Sequence, residues 1–194
     1  MSTNSKLIAI IGLFFISTNM LAQSSLPYRE VPENPKEYSA GTVAARLIDG
    51  LGFRFYWATD GLTESNLNFK PSEEGRTIAQ TVQHIYEMSF MVVNATTNKV
   101  NQRADTTLTF MQMREQTLSN LYQASEILKK SDDLENMKII YEGKNGRVEY
   151  PFWNHLNGPI ADCLWHVGQI VSMRRTDGNP IAGNLSFFNG KVVE

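Results

Sequence analysis

The chain has a single cysteine, Cys163, in 194 residues. A lone cysteine closes no internal disulfide, so the fold must rest on a hydrophobic core. Charge of one sign is also missing. Lys and Arg number 18 against 20 Asp and Glu, for a formal net charge of -2. No basic block stands out, which removes the electrostatic footprint of nucleic-acid binding. Long hydrophobic runs are absent too. The apolar stretch from Leu7 to Ile16 falls short of the roughly 20 residues that span a bilayer. There is no internal repeat and no low-complexity tract. The length suits one domain once a leader is set aside.

The N-terminus reads as such a leader. Met1 to Lys6 is polar and carries one positive charge, the apolar run comes next, and Met20-Leu21-Ala22-Gln23 ends it. This layout predicts a secretory signal over residues 1–22, cleaved after Ala22, and a periplasmic or secreted protein with no stable membrane anchor after cleavage. No cysteine stands after the run, so nothing suggests lipid attachment. Residues 23–38, rich in Ser, Pro and Glu, predict an extended lead-in. The folded domain is then 39–194.

Helical periodicity predicts helices from about Ser39 to Thr59, Thr77 to Asn98, and Thr109 to Lys130. In the first, Val43, Leu47, Leu51 and Phe55 repeat every four residues, with Ala44 and Ile48 beside them. The second has a stripe of Ile78, Val82, Ile85, Met88 and Val92, and the third one of Phe110, Met113, Leu121, Ala124 and Leu128. Gly143-Lys144-Asn145-Gly146 between two β-prone runs predicts a hairpin turning at Asn145-Gly146 with positive φ. The last helix carries Asn157-Gly158-Pro159, so it either starts at Pro159 or kinks there. Arg174 and Arg175 stand in its last turn, where the dipole favours cations. The expected fold is all-α, a four-helix bundle with a small β-hairpin before the last helix.

The last helix carries the chemistry. Leu156, Ile160, Cys163, Leu164, Val167, Ile170 and Val171 form an apolar stripe, with His155, Asp162, His166 and Gln169 alongside. Asp162 and His166, four residues apart, share a helix face, so a carboxylate and an imidazole can hold one metal ion. A third ligand from a neighbouring helix would complete a two-histidine, one-carboxylate site. The bland alternative is an Arg or Lys that pairs with Asp162 near the core. His155 lies roughly 16 Å along the axis from His166, so it stays outside the site. Cys163 on the apolar stripe reads as a buried, inert thiol. Trp57, Trp153 and Trp165 read as core or pocket-rim residues. His84 borders the apolar face of the second helix, where a lone histidine is more often a core residue than a ligand.

These residues resemble the DinB/YfiT-like superfamily of metal-dependent four-helix-bundle proteins. His84 comes after Phe69-Lys70-Pro71-Ser72, as in the family's proline-containing lead-in to a helix with one ligand histidine. His166-Val167-Gly168-Gln169-Ile170 is similar to its His-x-Gly-Gln segment, and Arg174-Arg175 before Gly178 to that helix's ending. The resemblance implies metal ligands His84 and His166, with Asp162 where the family usually has a second histidine of His-x-x-x-His. An Asp there shifts preference toward harder ions, among Zn, Ni, Mn and Fe. The family is similar to bacterial thiol-dependent transferases and isomerases. Such thiols are scarce outside the cytoplasm, so the leader weighs against that co-substrate here.

The expectation is a mononuclear metal-dependent enzyme, a hydrolase or transferase that activates a bound water or thiol against a small-molecule substrate. Gln169 would orient a ligand or bound water, or else make a helix-packing hydrogen bond. The alternative is a non-enzymatic exported bundle that binds a small ligand or protein partner through the same cleft. A homodimer is compatible with either. A di-iron site would need Glu-x-x-His on two helices, and the chain offers only the reversed His84-x-x-Glu87.

Overall fold

A computed structural model describes residues 26–194. The expected signal segment, residues 1–22, and its expected cleavage point lie outside the described residues. The chain is mostly helical, in the order α1 (Ala40–Thr59), α2 (Glu64–Leu67), α3 (Ile78–Thr97), α4 (Phe110–Leu128), β1 (Ile139–Gly143), β2 (Gly146–Tyr150), α5 (Phe152–His155), a π-helical turn (Leu156–Ile160), α6 (Ala161–Thr176), β3 (Leu185–Ser186) and β4 (Lys191–Val192). No described helix is long and apolar enough to cross a membrane.

Each of the first three long helices starts on a reciprocal cap. Ser39, Thr77 and Thr109 accept from the backbone N–H of Thr42, Gln80 and Gln112, whose side chains accept from the cap backbone in return. Two orphan donors are satisfied per helix, and each cap contributes about 1 kcal/mol. Asn98 ends α3 in the left-handed region at φ 52°, which an Asn tolerates well.

α1 packs on α4 and α6, and α3 on the same two. One core results, with Ile48, Leu51 and Phe55 from α1, Val82, Ile85 and Val92 from α3, Leu118, Leu121 and Leu128 from α4, and Cys163, Val167 and Ile170 from α6. The buried face of α1 is Ala44, Ala45, Ile48, Leu51, Phe55 and Ala58, while Val43 and Leu47 of the expected stripe are exposed. A four-residue step turns about 400°, so such a repeat drifts around a helix by about 40° per step. Val43 and Leu47 therefore sit past the edge of the core face. Cys163 is fully buried, and desolvation, with the Asp162 charge adding to it, pushes its thiol far up. That suppresses the thiolate.

The lead-in is more than an extended strap. Tyr28, at φ 72°, is buried and donates to Asp49 Oδ1 at 3.0 Å. Its ring occupies the space that a Cβ at Gly52 would need, so only glycine admits it there. Val31, Phe53 and Trp57 form a satellite cluster, capped by Leu185 and Val192 of the β3–β4 pair.

The hairpin is antiparallel, with Gly143 opposite Gly146. Its two-residue loop is Lys144-Asn145, one position earlier than expected. Positive φ falls on Gly146 at 103°, not on Asn145. Gly146 takes the strained position because it lacks a Cβ, and Asn145 keeps ordinary backbone.

The proline region resolves as a kink between two helical segments. α5 begins at Phe152, and the turn Leu156–Ile160 comes after it with Pro159 within it and Gly158 outside helical backbone at φ -91°, ψ -106°. A non-helical residue breaks the register of faces between the segments on either side of it. That explains a correction to the expected polar stripe. Without the kink, His155 would face the same way as Asp162 and His166. With it, His155 is wholly buried and its Nε2 donates to Val92 O at 3.1 Å.

Burial of His155 has a pH consequence. Its Nδ1 has no hydrogen-bond partner among the described residues. Desolvation pulls its pKa from 6.5 to about 4, and the Val92 contact only partly opposes this. Between those values the unfolded chain binds the proton and the folded chain does not. Stability should therefore fall as pH drops through that window, by about 3 kcal/mol in all. His155→Phe removes the basic group beside Phe152. In urea unfolding at a series of pH values, the wild type should lose about 2–3 kcal/mol relative to the variant between pH 7 and 4. Parallel curves would rule His155 out as the source.

Candidate metal centre

The site lies where α3 and α6 face each other. The Thr77 cap fixes the start of α3, and His84 projects toward α6 from that helix. α6 starts afresh after the kink at Gly158, and Asp162, His166 and Gln169 line the cleft. Asp162 falls in the first turn of α6, where the helix dipole favours a carboxylate.

His84 Nε2 stands 2.9 Å from Asp162 Oδ2. His166 Nε2 stands 3.6 Å from the same oxygen. The two imidazole rings are 4.7 Å apart by centroid and nearly perpendicular, at 85°. His166 Nδ1 is 2.7 Å from Gln169 Oε1. That oxygen can only accept, so Nδ1 donates to it and Nε2 is the nitrogen on the side of Asp162. All three groups are partly buried.

Such a group could hold a metal ion. One ligand atom from each of His84, Asp162 and His166 lies within 4.8 Å of the other two. Ligands about 2.1 Å from an ion lie about 3.0–3.4 Å from one another in octahedral or tetrahedral geometry. The observed 2.9 and 3.6 Å bracket that range. The donor chemistry fits as well, with two imidazole nitrogens and one carboxylate oxygen on adjacent helices. Among the described residues no Lys or Arg pairs with Asp162, whose neighbours at ion-pair distance are the two histidines.

Other candidates fall away for specific reasons. His155, on the far side of the Gly158 kink, is buried against Val92. Glu87 accepts from Gln83 Nε2 at 2.9 Å and does not join the group. Trp57 is buried against Val31 and Phe53, whereas Trp153 and Trp165 are exposed, at the rims of two different recesses. The site opens into a cleft of about 1110 Å³, whose walls include Pro71, Arg76, Trp165 and Met173. Arg76 was not expected there as a wall residue. It stands just ahead of the Thr77 cap, and that adjacency was its only sequence signal.

Gln169 offers a graded test of this geometry. Leu in its place leaves the His166 Nδ1–H without its acceptor and frees the ring to rotate. Metal affinity in Gln169→Leu should fall about 10–100-fold with uptake still measurable. Competition against a chromophoric chelator reads this directly, and unchanged affinity would confine Gln169 to helix packing.

Comparisons with protein-family models, curated proteins and solved structures gave no match to this chain.

Proposed function

We propose that the chain is an exported DinB/YfiT-like four-helix-bundle protein and a mononuclear metal-dependent enzyme. The bundle is α1, α3, α4 and α6, each packed against two of the others. The observation that carries the reading is the gathering of His84, Asp162 and His166 in an open cleft, with one ligand atom from each within 4.8 Å of the others. Three protein ligands leave positions free for exchange, the arrangement of catalytic rather than closed structural sites.

When bound, a divalent ion such as Zn, Ni, Mn or Fe supplies Lewis acidity toward a water, a thiol or a substrate oxygen. The chain's own residues do the rest. His84 and His166 present nitrogens from two helices, so the site forms only when α3 and α6 are docked. Asp162 contributes the one formal negative charge among the ligands. Gln169 holds the His166 ring and its tautomer. The cleft gives a small-molecule substrate access from the side of Trp165 and Arg76.

Elemental analysis of the purified native protein after dialysis tests the reading. One ion per chain is expected, with exchangeable water detected by proton relaxation when Mn is loaded. A protein free of metal after native purification, and unable to take it up, would sink the proposal. A bound ion without exchangeable water would move it from catalysis to structure.

A further inference from the structure

The metal cleft is longer than its three ligands require. His84 stands two turns into α3 from the Thr77 cap, so the start of that helix is about 10 Å away along the axis. α6 runs the opposite way beside it. Asn66 Nδ2 donates to Asp177 Oδ2 at 2.7 Å, at the end of α6. The same loop holds the start of α3, where Ile78 N–H donates to Phe69 O at 3.0 Å. The walls therefore run from His84, Asp162 and His166 at one end to Arg76 and Thr176 at the other.

Two features of this interval serve no packing purpose. Gly168 stands in the middle of α6, where a glycine weakens a helix. A Cβ built there meets no atom within 4 Å, so no close contact between helices requires it. The missing side chain leaves the floor of the cleft open between His166 and Ser172. Arg76 is exposed on the far wall. Among the described residues it makes no ion pair and lies over no ring, although Glu73 and Glu74 stand just before it in the chain.

Charge and shape select the ligand. Asp162 is the only acid on the cleft walls. A divalent ion beside it and Arg76 beyond leave the cleft net positive, which draws an anion. One guanidinium fork matches one carboxylate through two parallel hydrogen bonds. A phosphate dianion calls for more donors, and no second Arg or Lys lines the cleft. Leu164, Met173 and Trp165 flank the interval, and Trp165 is 72% exposed. Such walls suit an apolar chain between the two ends.

We propose that the cleft takes a small carboxylic acid with an apolar chain. Its carboxylate pairs with Arg76, its chain crosses Gly168 beside Trp165, and its reacting end lies at His84, Asp162 and His166. Arg76 is then the residue that sets specificity, and the assignment rests on the metal centre proposed above.

Isothermal titration with the monohydroxamate of suberic acid tests it, against the neutral analogue in which an amide replaces the carboxylate. The hydroxamate end chelates a divalent ion and leaves the other end free for Arg76. On the Zn-loaded protein the acid should bind about 10-fold or more tightly than the amide. Arg76→Gln should erase that preference and Arg76→Lys should keep part of it. Arg175→Gln removes an exposed cation of α6 outside the cleft walls and should leave the preference intact. All three variants should keep wild-type Zn uptake. Equal affinity for acid and amide in the wild type overturns the proposal, and so does a preference that survives in Arg76→Gln. Failure of the metal centre reads differently. Neither probe would then respond to a chelator, and the ratio of acid to amide on the metal-free protein still decides for or against Arg76.

Discussion

His166→Ala should reduce metal content from one ion per chain to background while the fold survives. The variant removes Nε2, one of only two nitrogens in the group. What remains is one imidazole and one carboxylate, too few to retain a divalent ion through dialysis. The structural cost is small because His166 borders the core rather than filling it. Val167 and Ile170 supply the buried contacts of that turn. Elemental analysis after dialysis reads the metal and circular dichroism the fold. His155→Ala is the matching control. It should cost stability, since it leaves a hole beside Phe152 and Val92, and yet leave metal content unchanged. Retained metal in His166→Ala would remove this residue from the site.

Arg174→Met should be among the most destabilising substitutions in the molecule, at about 3–5 kcal/mol. α1 ends with no basic residue in its last turn, and Arg174 supplies the missing donors from α6. Its Nη1 donates to Trp57 O at 3.2 Å, Ala58 O at 3.0 Å and Asp60 O at 2.7 Å. Its Nε donates to Asn179 O at 2.8 Å. Arg114 of α4 assists from the other side, donating to Thr59 Oγ1 and Tyr56 O and lying 4.6 Å over the Tyr56 ring. Methionine keeps most of the buried stem but leaves those carbonyls without partners. For a chain of this size the loss corresponds to a fall in Tm of about 10 °C. Arg175 is exposed, and Arg175→Met should change stability by no more than about 0.5 kcal/mol. Equal effects of the two would show that charge at the end of α6, not capping of α1, is what matters.

Helix limits were legible because their signals are local. Ser39, Thr77 and Thr109 announce caps within three residues of their partners, and apolar spacing does the rest. The Asp162 and His166 pair was legible for the same reason. His84 was not, because a lone histidine shows nothing of the helix it faces. Only the family resemblance singled it out, and the packing of α3 on α6 brings it 2.9 Å from Asp162. The features that escaped reading depend on phase or on distant partners. His155 read as a neighbour of Asp162 on the polar stripe because an unbroken helix would align them. The Gly158-Pro159 pair marked a kink but not the direction in which it turns the faces on either side. Arg174 looked like a counter-charge for its own helix, and nothing nearby in the chain links it to α1. Trp153 read as a core or rim residue and is exposed, because a sequence does not say which apolar face stays uncovered.

The capping of α1 also sets an order in time. α1 is the first long helix of the described chain, yet its last carbonyls wait for a residue 114–117 positions downstream. On a ribosome adding about 5–20 residues per second, that separation is on the order of ten seconds. Until then only Arg114 of α4 holds the end of α1, through Tyr56 O and Thr59 Oγ1, and its completion must coincide with the docking of α6. The same docking event brings Asp162 and His166 to His84. A chain interrupted between His166 and Arg174 would thus carry both of those histidines and still leave the last carbonyls of α1 uncapped.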